Sequence, residues 1–298
     1  MNPNVPISAL ARPAEAVVGA GGVSRAPLPA VTRLTGSMAD WLREIVARRD
    51  LLILLAWREI KVKYKQSVMG FLWAILMPAL IVSAGVVVKF AFATVAGKPL
   101  DNNDVVSVAV RSVPWAFFVA SIRFASTSLV SNANLVTKIY MPRVLFPIAS
   151  VLSQLLDLAV ATVVLALFLI VTGAHLHVQM LWLPLLLVIL VLLVTGLAIF
   201  LSAAALFFRD VKYIVEVVIT FAIFFTPVFY EVSMLGKWAR FLLLNPVAPL
   251  LEGISAAVLG RPMPLVGWVA YSAVASVVIF VGSLFFFRRF EPYFAEAV

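Results

Sequence analysis

Apolar runs long enough to cross a bilayer recur along this chain, and such runs leave few structures available. In hydrocarbon every unpaired backbone N–H or C=O costs several kcal/mol, so the runs must be helices or the strands of a closed barrel. Barrel strands alternate apolar and polar residues over about ten positions. Stretches such as LWLPLLLVILVLLVTGLAIFLSAAALFF show no alternation. With 63% hydrophobic and 12% charged residues among 298, and a mean hydropathy of +1.09, the chain is expected to be an all-α integral membrane protein.

Six runs are expected to span: 70–95, 113–131, 148–172, 180–208, 211–226 and 267–287. In the first, Pro78 marks a kink and Lys89 is placed to snorkel toward headgroups. Residues 1–37 are rich in Ala, Pro and Gly, read as a disordered leader, and lack the charged start and apolar stretch of a signal peptide. Met38 is an alternative start.

The net charge of +9 does not point to nucleic acid, because the cations flank apolar runs. With both termini inside, sixteen Lys and Arg fall on the cytoplasmic side and five outside, namely Lys98, Arg111, Lys237, Arg240 and Arg261. The bias favours cytoplasmic termini. The chain has no cysteine, which removes disulfides and thiolate metal sites, and the HxH of His175 and His177 has no nearby acid or thiol to complete a metal site.

Before the first span, residues 38–69 form a candidate interface helix. Ile53, Trp57, Ile60, Tyr64 and Val68 share one face while Arg58, Lys61, Lys63 and Lys65 occupy the others, the pattern of a helix lying at the membrane surface. Before the last span, residues 227–264 are too apolar for a loop and too broken by proline to span. Two short outer helices, 233–244 and 247–259, are expected there, dipping back from the outer face. Within the spans, Arg123 and Asp157 lie at similar depth on neighbouring helices and are expected to pair. The hydroxyls of Ser121, Ser126, Thr127, Ser128 and Ser131 point to a second span that faces protein or water.

Four pieces together resemble the membrane subunit of type 2 ABC exporters of O-antigen, capsular polysaccharide or teichoic acid: LLAWREIKVKYKQSVMGFLWAILMPAL, NANLVTKIYMPRVLFPIASVL, LFFRDVKYIVEVVITFAIFFTPVFY and LNPVAPLLEGISAAVLG. The resemblance implies a homodimer of six-span subunits with two outer gate helices, in the bacterial inner membrane. It also implies two cytoplasmic ATP-binding subunits that carry ATP and Mg. The GK pairs of this chain, Gly97-Lys98 and Gly236-Lys237, lack the upstream glycine of a P-loop. No cofactor is expected on this chain.

By the same resemblance, residues 132–147 form a coupling loop seated on the ATPase, with Asn134, Lys138, Ile139, Tyr140, Met141 and Arg143 as its contacts; the alternative is a loop that only sets topology. Trp57, Arg58, Lys61, Tyr64 and Lys65 would meet headgroups or guide the anionic end of a lipid-linked glycan. Trp115, Phe117, Phe118, Phe224, Phe225, Phe229 and Tyr230 are candidates for a glycan path, since sugar C–H faces pack on aromatic rings, or for an interfacial aromatic belt. An exporter of drugs or small lipids is a second expectation. A membrane transferase acting on lipid-linked sugars is a third, and the scattered acids do not supply its catalytic cluster.

Overall fold

A computed structural model describes residues 37–65, 72–97, 102–138, 141–173, 177–263 and 266–294. Residues up to Arg43 and residues from Glu44 onward form separate units. Of the first unit, the described residues open helix α1 (Met38–Ala47), whose first turn Ser37 caps through its hydroxyl to the Ala39 N–H. All that follows concerns the second unit.

The regular structure of its described residues is all helical, as the apolar runs require. Helix α2 (Arg49–Lys65) precedes α3 (Leu72–Ala96), α4 (Asn102–Ser126) and two short helices, α5 (Ser128–Ser131) and α6 (Ala133–Lys138). Helix α7 (Leu145–Val171) and α8 (Leu183–Phe207) follow, then α9 (Val211–Ala222), α10 (Ala239–Leu243), α11 (Val247–Leu259) and α12 (Val266–Phe290). Among the described residues, four segments are long and apolar enough to cross a membrane: Asn103–Ser126, Leu145–Val171, Val178–Phe207 and Val266–Tyr293. The protein is a multi-pass membrane protein.

Several boundaries differ from those expected. The polar stretch before the second span is helical from Asn102, which makes Pro114 an interior residue and carries Arg111 into the bundle rather than into an external loop. Arg111 is 1% exposed, and its ion pair with Glu252 is what makes that burial tolerable. Lys89 does not snorkel: it is buried and pairs with Asp104 at 2.6 Å. The fifth run is only twelve residues of α-helix followed by a 3-10 turn at Ile223–Phe225. At 1.5 Å per residue α9 is about 18 Å long, short of a hydrocarbon core of about 30 Å.

The expected pair of short helices before α12 is present in modified form. Its first member breaks into a 3-10 segment, Val232–Trp238, and α10, because Gly236 takes a φ of 52° that only glycine adopts without strain. The second member, α11, is buried on nearly every side and ends where Gly260 turns left-handed.

Helices α8 and α12 run side by side in the same direction. Their contact is made close by small residues: Gly196 on α8, and Ser272, Ser276 and Ser283 on the buried side of α12. A Cβ at Gly196 would sit 2.8 Å from the Phe280 backbone, whereas one at Gly282 would meet nothing within 4 Å. Gly196→Ala is therefore expected to lower stability by about 1–3 kcal/mol through overpacking, and Gly282→Ala to leave it unchanged or raise it, since alanine is the better helix former. Thermal melting of the two purified variants in detergent checks the order.

Candidate functional site

Helix α2 does not simply lie against a membrane surface. Glu59 and Lys63, one turn apart, face Ser150, Gln154 and Asp157, which recur at helical spacing on α7. The Ser150 hydroxyl donates to Glu59 at 2.8 Å and Lys63 Nζ donates to Gln154 at 3.0 Å. Lys63 and the Tyr64 hydroxyl both donate to the Asp157 carboxylate, and Arg58 donates to Asn132. Leu55 and Ala56 are buried, while Ile53 and Trp57 are exposed and Ile60 is half-buried. Thus Ile53 and Trp57 of the apolar stripe face outward, Tyr64 of the same stripe reaches Asp157, and the side toward α7 carries Glu59 and Lys63 as well as buried Leu55 and Ala56.

The expected headgroup residues accordingly separate. Arg58, though exposed, donates to Asn132, and the Tyr64 hydroxyl is engaged with Asp157 inside the chain. Lys61 lies over the exposed Trp57 ring at 5.6 Å, and Lys65 is exposed. Burial pushes the Tyr64 phenol above its usual range, and the Asp157 carboxylate beside it pushes in the same direction. Burial likewise raises Glu59, against the smaller opposing effects of the Ser150 hydrogen bond and the Arg58 charge.

Next to this seam lies a cavity of about 410 Å³ whose lining runs from Trp73 and Met77 on α3 past Phe117 and Arg123 on α4 to Asp157 on α7, with Lys63 at its edge. The expected pair of Arg123 with Asp157 does not form. Both line the cavity, but Arg123 donates twice to Glu216 on α9, at 2.7 and 2.8 Å, while Asp157 takes Lys63 and Tyr64. Depth along two helices is readable from sequence, but the direction in which each side chain points is not.

At the opposite end a second network holds the short helices. The Arg111 guanidinium donates to Glu252 and to the Tyr230 carbonyl, each at 2.9 Å, and the Val232 N–H donates to the other Glu252 oxygen at 2.8 Å. Arg261 pairs with Glu231 at 2.6 Å. Burial alone would raise the Glu231 carboxyl, but Arg261, with Arg111 and Lys89 behind it, outweighs burial and holds it below the usual carboxylate range.

The candidate aromatic path is divided. Trp115 and Phe118 stack on one another at 5.3 Å inside the core; Phe117 is also buried but lines the cavity. Phe224 and Phe225 are exposed, Phe229 packs against the core, and the Tyr230 hydroxyl donates to the Phe224 carbonyl. In the loop before α7, Asn134 is exposed and Lys138 closes α6. Met141 is buried, and Arg143 turns inward: its N–H donates to the Glu291 carboxylate at 2.9 Å and its guanidinium to the Glu291 carbonyl at 2.6 Å. Ile139, Tyr140, Val68 and His175 lie outside the described residues. No His, Cys, Asp and Glu group that could hold a metal occurs among the described residues.

Sequence analysis missed Glu59, Glu216, Glu252 and Glu291, the acids that organise these sites. Glu216 and Glu252 carried a usable signal, since each is the lone carboxylate of a largely apolar helix. The acids around the cavity are each bound to a cation or a hydroxyl, contacts that brace the helices lining it.

A family model described as ABC-2 type transporter matches residues 50–259. Two proteins of Klebsiella pneumoniae named O-antigen export system permease protein RfbA are 28% and 29% identical to this chain over 204 residues, covering 68% of it and 77% of each relative. A protein of Myxococcus xanthus with the same name is 28% identical over 265 residues, 88% of this chain and 100% of the relative.

The Glu59 shift gives a pH-dependent expectation. A carboxyl whose folded pKa lies above 4.5 binds its proton more tightly in the folded chain, so stability falls as pH rises through the folded value. Glu59→Gln removes that loss and keeps an acceptor for Ser150. The melting temperature of the variant should match the parent near pH 4.5 and exceed it increasingly toward pH 7.5; a difference that does not change with pH would contradict the burial effect.

Proposed function

Because this chain belongs to the ABC-2 type transporter family, we propose that it is the permease subunit of an ATP-driven exporter that moves a lipid-linked polysaccharide out of the bacterial cytoplasm. The carrying observation is the match to the Myxococcus O-antigen export permease over the whole of that relative and most of this chain. The four long spans are joined by α3 and by α9 with its 3-10 extension to make six, with both termini cytoplasmic. Two copies form the conduit, and two ATP-binding subunits with ATP and Mg drive it.

The geometry supports this assignment at both ends. On the cytoplasmic side, α2 is linked to α7 by polar contacts beside a cavity at lipid depth, so a movement of α2 changes the cavity wall directly. On the outer side, α10 and α11 stop short of spanning, and their irregular connections require protein or water around them, the condition met at the mouth of a conduit. The loop of residues 132–147 is the surface offered to the ATPase, braced from behind by Glu291.

The test is ATP-dependent uptake of lipid-linked polysaccharide into inside-out vesicles containing this chain and its ATP-binding subunits. Uptake should depend on both. Removing either member of the Arg123–Glu216 pair, by Arg123→Ala or Glu216→Ala, should reduce uptake about tenfold, with the double variant close to the single ones because the two side chains act together. ATPase stimulation by apolar drugs but not by lipid-linked glycan would overturn the substrate assignment.

A further inference from the structure

Several cations of this bundle are held by acids, and two that are not line a cleft. Lys63, Lys89, Arg111, Arg123 and Arg261 each hold a carboxylate within 4.0 Å, and Arg143 holds Glu291. Arg209 and Lys212, at the turn between α8 and α9, form no ion pair or hydrogen bond among the described residues. Lys212 lies over the Tyr213 ring at 4.7 Å, a contact that leaves its charge uncompensated. Asp210 stands between the two in sequence, exposed and without an ion pair to either. The local charge is therefore net positive.

Both cations line a cleft of about 320 Å³ whose remaining wall is Thr127, Val130 and Ala133 on one side and Ala205 and Leu206 on the other. The size is that of a small-molecule site. In its wall Val130 is 50% exposed, and next to the two cations in sequence Phe208 is 68% and Ile214 58% exposed. Exposed side chains of this kind beside two cations form a surface for an amphiphile, with hydrocarbon against the apolar collar and an anion at the cations. The hydroxyl of Thr127 donates to the Phe124 carbonyl and remains available as an acceptor only, so anion capture falls to the two cations.

We infer that this cleft, walled by α4–α6 and α8–α9, binds the phosphate of an anionic lipid through Arg209 and Lys212. The sequence placed this role on Arg58, Lys61 and Lys65 of α2; Arg58 donates to Asn132 there, while Lys61 and Lys65 line no comparable cleft among the described residues. Two sources carry the same chemistry: a phospholipid of the leaflet, and the phosphate-linked lipid of an exported glycan. The second source alone rests on the export function proposed above.

The experiment is native mass spectrometry of the full chain, purified and exchanged into neutral detergent, titrated in separate arms with dioleoyl phosphatidylglycerol, dioleoyl phosphatidylcholine and a polyprenyl-pyrophosphate glycan. The parent is expected to retain phosphatidylglycerol, the glycan lipid or both in preference to phosphatidylcholine. Affinity should fall about fivefold for each of Arg209→Gln and Lys212→Gln. Lys237→Gln with Arg240→Gln, which removes the same charge from the opposite end of the bundle, should leave it unchanged. Val130→Glu, at a half-exposed wall position, should also abolish retention by placing a carboxylate beside both cations. Retention of phosphatidylglycerol identifies a leaflet lipid even if the export function is wrong, and retention of the glycan lipid alone identifies the substrate anchor. Equal retention by the parent and both cation variants, or equal loss in the control pair, overturns the site.

Discussion

A guanidinium inside an apolar bundle must find its counter-charge before the chain can close around it. Arg111 does so with Glu252 and the Tyr230 carbonyl. That requirement positions more than one side chain. It draws the start of α4 into the bundle, fixes α11 against α4, and through the second Glu252 oxygen captures the Val232 N–H that opens the 3-10 segment. Replacing such a pair with apolar groups need not cost stability, but removing one partner leaves a buried charge unmatched, at about 3–5 kcal/mol. The brace is thus a constraint on arrangement more than a source of binding energy.

Every other ionic contact in the bundle is more open. Arg123 and Glu216 are 41% and 46% exposed, and the Lys63–Asp157 pair is 27% and 20% exposed. The contacts of α2 and α9 at the cavity are thus less enclosed than the one that joins α11 to α4. A family that couples ATP turnover to transport needs this inequality: the part that moves must be held by contacts that exchange at low cost. The small-residue seam between α8 and α12 is enclosed as well, because helices in contact at Gly196 cannot slide without meeting the Phe280 backbone.

The sequence carried the helices and missed the partners. Runs of apolar residues located α7, α8 and α12 to within a few positions, and α11 to the residue, because hydrocarbon forces helix and proline and glycine end it. It failed at α4, where Asn102–Asp104 and Arg111 looked like loop; a polar start is unremarkable when the helix continues beyond the hydrocarbon and its arginine is paired. On α2 the apolar stripe was real, with Ile53 and Trp57 exposed, but the polar contacts that hold the helix to α7 were not readable. Amphipathicity tells which residues share a face, whereas the choice of which face meets protein depended on Ser150, Gln154 and Asp157, nearly a hundred residues away. The Arg123–Asp157 expectation failed for the same reason: equal depth is a one-dimensional property, and pairing needs an angle around each helix.

That distinction also separates two kinds of cation. On α2, positive charge next to an apolar run suggested a surface that receives phosphates, yet Arg58 and Lys63 point inward to an amide and a carboxylate. At the α8–α9 turn the same residue types, in the unassuming sequence FFRDVKY, face a cleft and hold no acid. A bundle that supplies carboxylates to five other cations, two of them nearly buried, has the means to neutralise two more. Leaving them uncompensated beside exposed Phe208 and Ile214 keeps a positive potential where hydrocarbon and water meet. In a membrane that potential is met by lipid phosphate, whose attraction falls off within a Debye length and so selects what lies against the cleft. The count of cations was legible in the sequence; the identity of the ones left with charge to offer was a property of the fold.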